Sequence, residues 1–98
     1  MAIVQIEHPV ADFASWKAAF ESDPLGRKES GVRRYRILRP TDDPNYVAVD
    51  LEFDDPTRAQ AFRIALENLW RTPRAQAAMG QGAIPRARVV ETADTVEL

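Results

Sequence analysis

From Tyr46 to Phe53 the chain alternates without a break: Val47, Val49, Leu51 and Phe53 are apolar, and Tyr46, Ala48, Asp50 and Glu52 stand between them. Successive side chains of a strand point to opposite faces, so the run reads as a strand with one greasy side and one polar side. Such a strand belongs to a sheet that is covered on one face, which is the habit of antiparallel sheets.

The preceding run, "VRRYRIL", is a second strand, separated by the turn-forming "PTDDPN". The two make a hairpin. Tyr35 and Ile37 match the apolar file of the third strand. A shift of one residue would drive Arg34 and Arg36 into the core, where desolvation of two cations is prohibitive. Arg34 and Arg36 therefore share the outer face with Asp50 and Glu52. One register sets Arg36 against Asp50 and Arg34 against Glu52; a two-residue slip sets Arg34 against Asp50. Either pairs opposite charges across strands. On alternation, Val32, Leu38, Tyr46 and Ala48 join that face.

The remaining chain supplies two more strands and the helices. "AIVQIEH" is a β-branched first strand that ends before Pro9, with Val4, Ile6 and His8 facing the helices and Ile3, Gln5 and Glu7 facing outward. Phe13, Trp16 and Phe20 follow at helical spacing behind Asp12, a cap residue. Asp55 and Pro56 open a second helix, with an apolar stripe of Ala59, Phe62, Leu66, Leu69 and Trp70. Thr72 and Pro73 open a short third helix that Gly80 stops. "AIPRARVVET" is the last strand. The order β-α-β-β-α-(short α)-β predicts a single α+β domain over 1–98 of ferredoxin-like βαββαβ arrangement. Its four-stranded antiparallel sheet runs 4-1-3-2 with the helices on one face.

Composition narrows the function. The chain holds 98 residues, 45% of them hydrophobic, with net charge -2 and no cysteine. Disulfides, thiolate nucleophiles and Cys-based metal sites are excluded. The acidic balance argues against a general nucleic-acid binder. No apolar run approaches the ~20 residues of a membrane span, and the first ten residues carry no basic leader. A cytoplasmic location is the expectation, with neither nucleic acid nor membrane as partner. No phosphate-binding glycine motif or zinc-protease pattern is present.

Nearly the whole chain resembles the dimeric α+β barrel superfamily, above all its antibiotic-biosynthesis-monooxygenase-like and cyclase-like small proteins. The resemblance rests on "HPVADFASWKAAFESD" after the first strand, "GVRRYRILRPTDDPNYVAVDLEFDD" as the hairpin, "RAQAFRIALENLW" as the second helix and "PRARVVE" as the last strand. It implies a homodimer whose sheets meet face to face, with a pocket between sheet and helices. It also implies activities that include cofactor-free oxygenation of polyketide-type aromatics. The haem-degrading branch places a histidine ligand on a helix; Pro56 to Met79 contain none, so no cofactor is expected.

The candidate site follows. His8 is the only histidine and ends the first strand beside the aromatic helix. An imidazole there is a natural base or hydrogen-bonding group; satisfying a loop backbone group is its ordinary alternative. Trp16 and Tyr35 are candidate pocket walls, and packing explains both as well. Trp70 reads as packing. Arg34, Arg36, Asp50 and Glu52 are candidate ligand contacts if two sheets enclose a cavity, or structural ion pairs if they do not. The pairing of each carboxylate with arginine argues against a metal there. "DPLGRKESG", Asp23 to Gly31, is a candidate lid. The expected function is a small-molecule-binding protein or cofactor-free monooxygenase or cyclase-like enzyme acting on an aromatic or polyketide-like compound. The other reading is a non-catalytic dimeric stress-response or structural module.

Overall fold

A computed structural model describes residues 1–80 and 82–98. Its elements are β1 (Ala2–Pro9), α1 (Phe13–Glu21), β2 (Val32–Leu38), β3 (Tyr46–Phe53), α2 (Pro56–Trp70), α3 (Pro73–Met79) and β4 (Arg86–Glu91). The four strands form one antiparallel sheet in the order β2-β3-β1-β4. That is the 4-1-3-2 arrangement expected from the sequence.

The alternation in β3 decides the layering. Val47, Val49, Leu51 and Phe53 are essentially inaccessible and pack with Val4, Ile6, Trp16, Ala59, Phe62 and Leu66 into one core between sheet and helices. The Phe53 and Phe62 rings lie 5.5 Å apart and tie β3 to α2. Burying a side chain of this size stabilises the fold by about 1.5–3 kcal/mol, so this file of four outweighs any other local preference in the hairpin.

Each helix begins on the residue that its sequence signals. The Asp12 carboxylate accepts from the Ser15 backbone N–H at 2.9 Å and from its hydroxyl at 2.7 Å. Asp55 accepts from the Thr57 N–H at 2.8 Å, and Pro56 fills the first helical position, where no N–H is needed. The Thr72 hydroxyl accepts from the Ala75 N–H. Gly80 ends α3 at φ 93°, a backbone conformation that a side chain disfavours. The Ala11 N–H donates to the Ala78 carbonyl at 3.1 Å, which ties α3 to the exit of β1.

Of the two registers open for the hairpin, the structure has the first: Arg34 opposite Glu52 and Arg36 opposite Asp50. One expectation is corrected. Val32 does not share the outer face with Arg34, because the ladder is irregular between Val32 and Arg34, and Val32 pairs with Phe53. The extra residue, Arg33, lets Val32 turn inward and pack on the core. The Arg33 guanidinium reaches Asp54 at 3.0 Å instead. Apolar burial at the strand entrance thus outweighs strict alternation.

Candidate functional site

The site lies on the helix side of the sheet. A cavity of about 190 Å³ opens between β1, β3 and the three helices. Its floor is Ile6, His8 and Leu51; Phe62, Leu66 and Leu69 come from α2. Trp16 and Trp70 add two broad aromatic walls. The volume exists because α3 offers small side chains: Ala75 and Ala78 line the space, where a larger residue would fill it.

His8 is the polar centre of this apolar space. It pairs with Val47 across the sheet and points inward with Val4 and Ile6. The residue is 2% exposed. Its ring stands edge-on to Trp16 at 5.7 Å and to Trp70 at 6.0 Å. His8 Nδ1 lies 2.8 Å from the Pro9 carbonyl oxygen. A carbonyl oxygen only accepts, so Nδ1 carries the proton and donates it there. In the neutral ring, Nε2 is then a bare acceptor. No side chain among the described residues bonds it, and no fully enclosed side-chain nitrogen or oxygen among them is left unpaired, so Nε2 opens to the cavity that His8 lines. Burial pushes the pKa of His8 below its ordinary value, against a smaller upward push from the Pro9 hydrogen bond. The ring is therefore neutral at physiological pH and ready to accept a proton or a hydrogen bond.

The mouth lies between the α1–β2 connection and α3, where Ser22, Asp23, Arg27, Thr72 and Arg74 line the edge. Most of these groups are already engaged. Arg27 Nη1 donates to the Phe20 carbonyl at 2.6 Å, and its guanidinium lies 4.1 Å over the Phe20 ring. Ser22 donates to Ala19, and Thr72 donates to Leu69. The segment Asp23 to Gly31, a candidate lid by its composition, is braced from within. The Arg27 N–H bonds to the Asp23 carboxylate, the Ser30 hydroxyl to the Leu25 carbonyl and the Val32 N–H to the Arg27 carbonyl. It forms a built wall of the cavity.

The site residues expected from the amino-acid pattern separate into two places on the fold. His8 and Trp16 meet in the cavity. Tyr35 does not line it. Its ring packs edge-on against Phe20 at 5.2 Å, behind the wall, and is 40% exposed. Arg34, Arg36, Asp50 and Glu52 lie on the opposite, outer face of the sheet. There Arg34 holds Glu52 with two bonds, at 2.7 and 2.9 Å, and Arg36 reaches Asp50 at 3.3 Å. The Arg34 bonds hold the Glu52 carboxyl below its usual pKa. Beside them, Tyr46 donates to Glu7 at 3.3 Å, and burial, with Glu7 close by, raises the phenol pKa. This outer face is uncovered in the single chain: the Arg34 and Arg36 side chains are 71% and 66% exposed.

Two lining residues are not evident from sequence. Trp70 looks like the last apolar residue of the α2 stripe, yet it borders the cavity and touches His8. Arg74 sits at the mouth with no ion-pair partner among the described residues. The available signal is the small-residue run "AQAAMG" that follows, which leaves room beneath Trp70. Among the described residues, no group of three potential ligands forms a metal site, and no helix is long and apolar enough to cross a membrane.

Neither a scan against family models nor a search of curated proteins returns a match. Solved structures do match, and over almost the entire chain. A dimeric ferredoxin-like protein from an uncultured marine organism aligns with TM-score 0.67 at 12% identity, covering 97% of both chains. SnoaB, a cofactor-independent oxygenase from Streptomyces nogalater, aligns with TM-score 0.69 at 16% identity, covering 97% of this chain and 95% of SnoaB. An antibiotic biosynthesis monooxygenase aligns with TM-score 0.59 at 17% identity, covering 99% of this chain and 100% of that one. The chain shares the fold of these dimeric ferredoxin-like and monooxygenase-like proteins. At such identities the likeness is one of fold.

Proposed function

We propose that this chain is a homodimeric, cofactor-free oxygenase or closely related binding protein for a hydroxylated aromatic compound, with His8 as its base. The observation that carries this reading is the bare, buried Nε2 of His8 in an apolar cavity flanked by two indoles. The flat walls of Trp16 and Trp70 suit a planar ring, and the imidazole suits its hydroxyl. The same fold carries cofactor-independent oxygenation in SnoaB, and that precedent is the support for choosing oxygenation here.

The chemistry needs no more than the residues present and dioxygen. His8 Nε2 accepts the aromatic hydroxyl proton and becomes an imidazolium, stabilised by the Pro9 carbonyl on its other nitrogen. The phenolate delocalises its charge onto ring carbon, which then reacts with dioxygen. The overall change from hydroxyarene plus dioxygen to quinone plus water is balanced: the ring is oxidised, one oxygen atom enters it and the other leaves as water. A neutral histidine with a lowered pKa is a weak base, so it suits the more acidic hydroxyls, such as those conjugated with a ring carbonyl or a second ring.

Melting-temperature screening against hydroxylated aromatics, followed by oxygen uptake with the compounds that stabilise the protein, tests the reading. The substitution His8→Gln should retain binding and lose uptake by roughly a hundredfold or more, the scale of general-base catalysis. Unchanged uptake in His8→Gln would remove the base assignment. A flat response to every aromatic compound would instead favour a non-catalytic dimeric module.

The dimer is supported by the sheet itself. Helices cover one face, while the other carries Ile3, Gln5, Ala48 and Tyr46 among paired charges. Glu52 is 8% exposed before any partner is added, so a second sheet could cover these pairs without leaving that carboxylate unpaired. Sedimentation at micromolar concentration should give about twice the 11.0 kDa chain mass; an 11.0 kDa particle would remove the dimer.

A further inference from the structure

The cavity and its rim differ in kind, and the difference bears on the ligand. Inside, the lining is apolar apart from the His8 imidazole. At the rim, Arg27 is committed to the Phe20 carbonyl and its ring, and lies 3.6 Å from Asp23. Arg74 is different. It stands on α3 at the mouth, exposed, with no ion-pair partner among the described residues. Among the described residues nothing pairs with this guanidinium, which stands beside the opening of a greasy pocket.

Size sets the second limit. A dry apolar cavity of roughly 150 Å³ accepts one benzene ring. The 190 Å³ here exceeds that by only a fraction. Its enclosed part holds one ring or two fused rings, and a four-ring compound would have to extend out through the mouth. The walls are braced: the Asp23–Gly31 segment by its own hydrogen bonds, and α3 to β1 through Ala11 and Ala78.

We infer that the site takes a one- or two-ring hydroxyaryl compound bearing an anionic substituent, its hydroxyl on His8 Nε2 inside and its carboxylate or similar anion on Arg74 at the mouth. This rests on the pocket reading above and narrows it to small aryl acids. Desolvating the rings supplies most of the affinity. Arg74 adds a screened, surface-type attraction that selects among rings of equal size. The anion stays in water at the rim, so the apolar interior never has to bury it.

Titration calorimetry with three probes tests this inference: 2-naphthol, 6-hydroxy-2-naphthoate and a four-ring hydroxyaryl carboxylate. At low salt the naphthoate should bind about two- to fivefold more tightly than 2-naphthol, the range of an exposed ion pair. That advantage should shrink in half-molar salt and vanish in Arg74→Gln, with 2-naphthol affinity unchanged by the substitution. The four-ring probe should bind more weakly than the naphthoate, because part of it stays outside the cavity. Equal affinity for the two naphthyl probes, or an advantage that survives Arg74→Gln, overturns the role of Arg74 while leaving the pocket intact. Tight binding of the four-ring probe overturns the size limit alone. Failure of every naphthyl probe overturns both this inference and the site on which it rests.

Discussion

His8→Phe should flatten the pH dependence of stability between pH 7.5 and 5. Burial is the cause. The imidazole is 2% exposed, burial lowers its pKa, and its reference value is 6.5. Below pH 6.5 the unfolded chain takes up a proton at this position that the folded chain resists. Stability therefore falls as the pH drops through 6.5, and the fall ends once the pH passes the lowered folded pKa. The slope is at most one proton, or about 1.4 kcal/mol per pH unit. One unit below the reference value, the wild type should have lost up to about 1.4 kcal/mol that the Phe variant keeps. For a domain of this size each kcal/mol is worth roughly 4–8 °C in melting temperature. The window is clean, because His8 is the only histidine and the carboxyl groups with displaced pKa values, Asp12, Glu21 and Glu52, are all displaced downward. Urea unfolding of both proteins at half-unit steps of pH measures the effect. Parallel lines for wild type and His8→Phe across the window would mean that the ring is hydrated or already charged, and a neutral base in the cavity would be refuted.

Phe53→Ala removes a fully buried ring from β3 and should cost about 3–5 kcal/mol in urea unfolding. Ala78→Trp fills the cavity from α3; it should abolish aromatic binding in calorimetry, and binding that persists would place the ligand elsewhere. Arg34→Ala leaves Glu52 without its bidentate partner and should weaken self-association by about tenfold or more in sedimentation. The same variant alters acid stability. The lowered pKa of Glu52 contributes stability that is present above pH 4.5 and lost as pH falls through the folded value, so wild type and Arg34→Ala should converge in strong acid.

The layering was legible in the residues themselves. Four apolar residues in alternation leave one way to bury the hairpin, and two arginines opposite two acids leave one face for them. Helix starts at Asp12, Asp55 and Thr72 were equally legible, because a cap is a local bond between a side chain and an N–H three residues away or fewer. The resemblance to small monooxygenase-like proteins pointed to the fold found. Three matters were settled only by packing between distant parts of the chain. Val32 turned inward, because packing against the core outweighs alternation once Arg33 bulges. Tyr35 separated from His8: its ring sits behind the cavity wall, against Phe20. Trp70 and Arg74 joined the site, because α3 folds back onto the exit of β1. Empty space is a property of what fails to meet across elements distant in the chain, and no local pattern of residues encodes it.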